Sequence, residues 1–142
     1  MSFLNTLKQA WMSASKEGYQ TGVPDPLAES RHPDRTFLMA VAGESQTNED
    51  GSSRQKLISK LKPGMPLMLV REPDNPYDPD AISIRDSRGS IFGYIPRAKA
   101  GKLARQLDGD VEVAAWVEDI TGGTTDKPTL GLILKLGVMP TD

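Results

Sequence analysis

Apolar residues recur along this chain at two spacings, and the switch between them lays out the elements. Near the start, Phe3, Leu4, Leu7, Ala10, Trp11 and Ala14 fall three and four apart, the stripe of an amphipathic helix over residues 3–14 with Gly18 as its stop. Residues 22–35 carry Pro24, Pro26 and Pro33 without an apolar period and read as a linker. Residues 1–35 are therefore expected to form a helix and linker, and residues 36–142 a compact domain.

Within that domain, TFLMAVAG over 36–43 is an apolar run ending at glycine, the pattern of a buried strand. Leu57, Ile58 and Leu61 return to helical spacing, flanked by Arg54, Lys56, Lys60 and Lys62, and Pro63-Gly64 ends the segment. Strands follow over 65–71, 81–85 and 90–95, the last two joined by the tight turn Ser87-Arg88-Gly89. RAKAGKLARQL at 97–107 is a second short helix with a basic outer surface, which Gly101 weakens. Val111, Val113, Ala115 and Val117 alternate as a half-buried strand, and a final strand spans 130–136. The order is β-α-β-β-β-α-β-β. Six short strands and two short helices are housed most economically in a small, mainly β barrel, because closure removes exposed edges. An open α+β sheet with both helices on one face is the alternative.

Composition narrows the chemistry. The chain has 142 residues, 37% hydrophobic and 25% charged, with 11 prolines and 13 glycines that favour turns and short elements. It contains no cysteine and one histidine, which excludes disulfides and thiolate chemistry and leaves only His32 as an imidazole. His32 sits in the linker without a serine or cysteine partner and is expected to be solvated. No apolar run approaches a membrane span and no signal peptide is evident, so a cytoplasmic protein without membrane contact is expected. The net charge of −2 argues against a broad, charge-driven duplex binder and confines any nucleic-acid contact to a local site.

That site is expected in REPDNPYDPDAI, residues 71–82, which places Tyr77 and the carboxylates Glu72, Asp74, Asp78 and Asp80 in one loop. Each proline fixes its own φ and pushes the residue before it toward extended geometry, so the loop is stiff before anything binds. Asp74, Asp78 and Asp80 invite a metal reading, as in a metal-dependent nuclease, but their spacing does not fit the calcium-loop pattern, and no metal or cofactor is expected. A carboxylate accepts hydrogen bonds but does not donate them, so Asp78 favours a hydroxyl and repels a phosphate. Two unit charges about 4 Å apart at an effective dielectric of about 20 repel by on the order of 4 kcal/mol. Stacking on a tyrosine contributes roughly 1–3 kcal/mol without base preference.

The strings VAG at 41–43, LMLVREPDNPYDPDAISI at 67–84 and FGYIPR at 92–97, with the Lys- and Ala-rich helix and closing β pair after them, resemble a HIRAN domain. The likeness extends over about residues 37–136. It implies a modified OB-like barrel that binds single-stranded DNA without catalysis, in the best-understood members by capturing a 3′-hydroxyl end. Eukaryotic relatives lie within fork-remodelling translocases, which points to DNA repair or replication-fork processing. No phosphate-binding loop of the GxxxxGK[ST] kind is present here, so the resemblance is to a free-standing module.

Carried over by position, Tyr77 contacts the terminal nucleotide, Asp78 accepts from the 3′-hydroxyl and Asn75 supports the loop. Arg97, helped by Arg71, meets phosphates, and Tyr94, or Phe92 on the same strand, is a candidate for additional stacking. Two stretches depart from the family pattern. ESQTNEDGSS at 44–53 stands where relatives carry an arginine and aromatics, and TGGTTDKPT at 121–129 lacks an aromatic, so a weaker grip is expected. The alternative from a different class is a protein-interaction barrel, or self-association through the 3–14 helix, with DNA binding lost.

Overall fold

The computed structural model describes residues 33–140, so the 3–14 helix and nearly all of the linker lie outside the described residues. Six strands and two helices follow in the expected order: β1 (Arg35–Ala40), α1 (Arg54–Ile58), β2 (Pro66–Arg71), β3 (Ile82–Arg85), β4 (Ile91–Tyr94), α2 (Arg97–Asp108), β5 (Val113–Thr121) and β6 (Gly131–Val138). They form one antiparallel sheet in the order β1-β6-β5-β2-β3-β4.

The sheet curls because β2 serves both of its halves. Pro66 and Leu67 pair with Trp116 and Ala115 of β5, whereas Met68 to Arg71 pair with β3. The chain leaving β1 then bends toward the far edge. Val41 donates to Leu132 O at 2.9 Å, and Ala42 exchanges backbone hydrogen bonds with Tyr94 of β4 at 2.8 and 2.9 Å. One bridge thus joins the two edges, which decides between the barrel and the open sheet. Gly93 makes the approach feasible, since a Cβ there would collide with Val41 and lie 2.7 Å from Ala42 O.

The interior follows strand alternation. Leu132, Leu134 and Leu136 of β6 point inward with Ile82 and Ile84 of β3, each at most 1% exposed. Ala100, Leu103 and Ala104 of α2, together with Ile58 and Leu61, cover the same core. The expected basic outer face after residue 53 is found for Lys56, Lys60 and Lys62, which are exposed. Arg54 is the exception. It shares the inward face with Ile58 and Leu61, at helical spacing, and is only 7% exposed.

Candidate functional site

The loop between β2 and β3 is held by its own side chains. Glu72 N donates to Ala81 O at 2.9 Å and closes the neck. Asn75 Oδ1 accepts from the backbone N–H groups of Tyr77 and Asp78 at 2.9 and 3.1 Å, while its Nδ2 donates to Glu72 Oε1 at 3.0 Å. Asp78 Oδ1 accepts from Asp80 N at 2.9 Å. These bonds satisfy the donors of a turn that the prolines have already stiffened. Tyr77 is left standing on top, 85% exposed.

Beneath the loop, Glu72 is a hub. It receives Arg85 Nη2 at 2.8 Å and the Tyr94 hydroxyl at 3.0 and 3.1 Å, besides Asn75. Burial acts to raise its pKa, but hydrogen bonds from Asn75, Ser83, Arg85 and Tyr94 outweigh burial and hold the carboxyl below its ordinary range. Glu72 is therefore a charged anchor. The Tyr94 hydroxyl moves the other way, raised by burial and then by the adjacent Glu72 charge.

The six predicted residues divide into two groups. Tyr77, Asp78 and Arg97 face one open cleft of about 1120 Å³. Asp78 Oδ2 lies 4.0 Å from Arg97 Nε, and Arg97 is 81% exposed at the start of α2. Arg71, Asn75 and Tyr94 also border the cleft but are committed to the protein. Phe92, the alternative to Tyr94 for stacking, is 2% exposed and packs in the core. Arg71 grips Asp108 through Nε and Nη2 at 3.0 and 3.2 Å, and its Nη1 donates to Pro79 O and Ala81 O at 3.0 and 3.1 Å. Its pKa is raised, chiefly by the Asp108 hydrogen bonds. With Nε, Nη1 and Nη2 all donating within the protein, Arg71 fastens the end of the loop to the end of α2. Asp74, Asp78 and Asp80 do not converge, and among the described residues no three His, Cys, Asp or Glu side chains are grouped to hold a metal ion.

The opposite wall, from Ala42 to Arg54, contributes what sequence reasoning missed. Arg54 lies over the Tyr94 ring, its guanidinium carbon 5.3 Å from the ring centroid. Its Nη1 donates to Gly43 O at 2.8 Å and its Nε to Asn48 Oδ1 at 2.7 Å. The segment expected to leave this side without an arginine is therefore followed directly by one that lines the cleft. The signal was its register with Ile58 and Leu61. Glu72 was legible as a turn residue only, because its partners Arg85 and Tyr94 arrive from β3 and β4.

The loop, the β4 motif and the cleft between them all fall within residues 42–130, the span matched by the protein-family model of the HIRAN domain, well over half of the chain. The chain belongs to the HIRAN domain family. Among solved structures, it is similar to the HIRAN domain of human HLTF, with 18% identity and a TM-score of 0.56 over 75% of this chain and 77% of that one. It is also similar to a protein from Lactobacillus plantarum, with 26% identity and a TM-score of 0.52 over 72% of this chain and 99% of that one. A comparison with curated proteins returns no match. The HIRAN match begins at Ala42, the residue that bridges to β4, and ends at Leu130, so β1 and β6 lie outside it. No helix among the described residues is long and apolar enough to cross a membrane.

Proposed function

We propose that this HIRAN domain is a non-enzymatic module that holds single-stranded DNA at a 3′-hydroxyl end, of the kind exposed during repair or replication-fork processing. The observation that carries the reading is the pairing of an 85% exposed Tyr77 with Asp78 in one cleft. The ring is a stacking platform that the fold leaves uncovered. The Asp78 carboxylate has one oxygen fixed on the backbone and the other 4.0 Å from Arg97. In this arrangement Tyr77 stacks on the terminal base, Asp78 Oδ2 accepts from the terminal hydroxyl and Arg97 swings onto the adjoining phosphate. Asn75 and Arg71 position the loop, and Tyr94 supports its anchor.

Discrimination follows from charge. A 3′-phosphate in place of the hydroxyl would set like charges against each other at hydrogen-bond distance, costing on the order of a few kcal/mol at a partly solvated site. Fluorescence anisotropy with matched oligonucleotides ending in 3′-hydroxyl or 3′-phosphate tests this. The hydroxyl end should bind at least tenfold tighter, and equal affinities would remove the role assigned to Asp78. Binding to neither end would turn the reading toward a protein-interaction barrel.

A further inference from the structure

Two polar or charged residues lie in the buried interior among the described residues, Ser83 and Arg54. Ser83 is neutral and its hydroxyl is bonded to Arg85 Nε. Arg54 is different. Its guanidinium carries five N–H donors, of which the protein engages Nε and Nη1 on neutral oxygens, and its central carbon lies over the Tyr94 ring, 5.3 Å from the centroid. Among the described residues Nη2 has no hydrogen-bond partner and no carboxylate lies within 4.0 Å of the side chain. The carboxylate beyond Tyr94, Glu72, is already ion-paired with Arg85. A cation removed from water without a counter-charge is costly, and two neutral oxygens and a ring offset that cost only in part, so an anion at the remaining donor would be favoured.

The surroundings are shaped for the guanidinium. Gly43 has φ +75°, and a Cβ at that residue would lie 3.1 Å from Arg54 Nη1. Asn48, which orients Nε, is itself held by donation to Ile91 O at 2.9 Å and to Ser52 Oγ at 3.1 Å. Arg54 borders the same cleft as Tyr77 and Asp78.

We propose that Arg54 is a seat for a phosphate group, its Nη2 taking a nonbridging oxygen of a phosphodiester in the strand whose end is held at Asp78. This rests on the strand-binding reading and names a second contact within it. The planar fork of arginine suits a phosphate, and its fixed position removes the ordering cost that a mobile side chain carries. Glu49 and Asp50 are exposed on the same wall, a charge that disfavours free inorganic phosphate relative to a singly charged phosphodiester.

The test uses the full chain and oligonucleotides in which one linkage at a time, counted from the 3′ end, is replaced by a neutral methylphosphonate. In the unaltered protein, besides the linkage adjoining the terminal nucleotide that Arg97 meets, a second linkage should weaken binding by roughly tenfold or more when it is neutralised. Arg54→Gln should weaken binding to the unmodified strand by a similar factor and lose sensitivity at that linkage. Its slope of log affinity against log salt should fall by about 0.7. Arg54→Lys should recover part of the affinity. Circular dichroism verifies that each variant is folded; should neither fold, the linkage scan on the unaltered protein decides.

A uniform response to every linkage, or an Arg54→Gln protein that binds as tightly as the parent, would overturn the seat. Inorganic phosphate titrated alone, followed by the NMR shift of the Arg54 Nε–H, distinguishes the sources; saturation by free phosphate without a sensitive linkage would overturn the strand assignment. A linkage whose sensitivity is lost in Arg54→Gln, in a protein indifferent to the 3′ group, would instead retain Arg54 and remove the reading of Asp78.

Discussion

The Tyr94 hydroxyl reaches both carboxylate oxygens of Glu72, at 3.0 and 3.1 Å, and so ties the strand entering α2 to the first residue of the loop between β2 and β3. Arg85 and Asn75 converge on the same carboxylate. Substituting Glu72→Gln leaves the geometry but removes the charge and converts one acceptor into a donor facing other donors. The expected loss is about 1.5–3 kcal/mol, the range for hydrogen bonds to a charged group, measured by urea unfolding. A change below about 0.5 kcal/mol would mean that the hub does not hold the loop.

The same pair sets the pH response. Glu72 has a folded pKa below its ordinary 4.5, so its contribution to stability is complete above that value and declines as pH falls through the lower folded one. Tyr94 is shifted upward from 10.0, so its contribution is present below that value and disappears as pH rises through the higher folded one. Thermal melts should therefore show an acid limb that flattens in Glu72→Gln and an alkaline limb that flattens in Tyr94→Phe.

Tyr77 separates binding from stability. With its ring 85% exposed, Tyr77→Ala should alter unfolding free energy by no more than about 0.5 kcal/mol. Affinity for single-stranded DNA should fall by roughly 1–3 kcal/mol, the contribution of one stacked base. Chemical denaturation and anisotropy on the same samples check both halves. A destabilised variant would show that the ring packs on the protein.

Barrel closure is tested at Gly93. The added methyl of Gly93→Ala would press on Val41 and lie 2.7 Å from Ala42 O, where the backbone bridge forms. Overpacking of this kind costs about 1–3 kcal/mol. Amide hydrogen exchange should accelerate at Ala42 and Tyr94, whose N–H groups make the bridge. Exchange as slow as in the parent would show that the seam absorbs the methyl.

Much of this fold was legible because its elements announce themselves locally. Alternation in β5 and β6, helical spacing in α2 and the Ser87-Arg88-Gly89 turn each depend on neighbours in sequence. The REPDNPYDPDAI loop was readable for the same reason: the backbone bonds of Asn75 and Asp78 reach residues two or three positions away. Less visible was how side chains are spent across the sheet. Arg71 looks like a free cation until Asp108, 37 residues later, takes it, and Arg54 looks like part of a solvated face until Gly43 and Tyr94 enclose it. Charge and spacing say which residues are polar. They do not say which polar residues the closed barrel leaves unspent.

The bridge from Ala42 to Tyr94 gives ligand binding a mechanical meaning. The wall bearing Arg54 follows one edge strand of the sheet, and the loop bearing Tyr77 and Asp78 is carried by strands nearer the other, so an occupant of the cleft lies across the seam. A bound strand would act as a clasp over the join that the backbone closes with two hydrogen bonds. At a hundred times its dissociation constant it would add about 2.7 kcal/mol to the folded state. A DNA end would then be both what this barrel holds and what holds it shut.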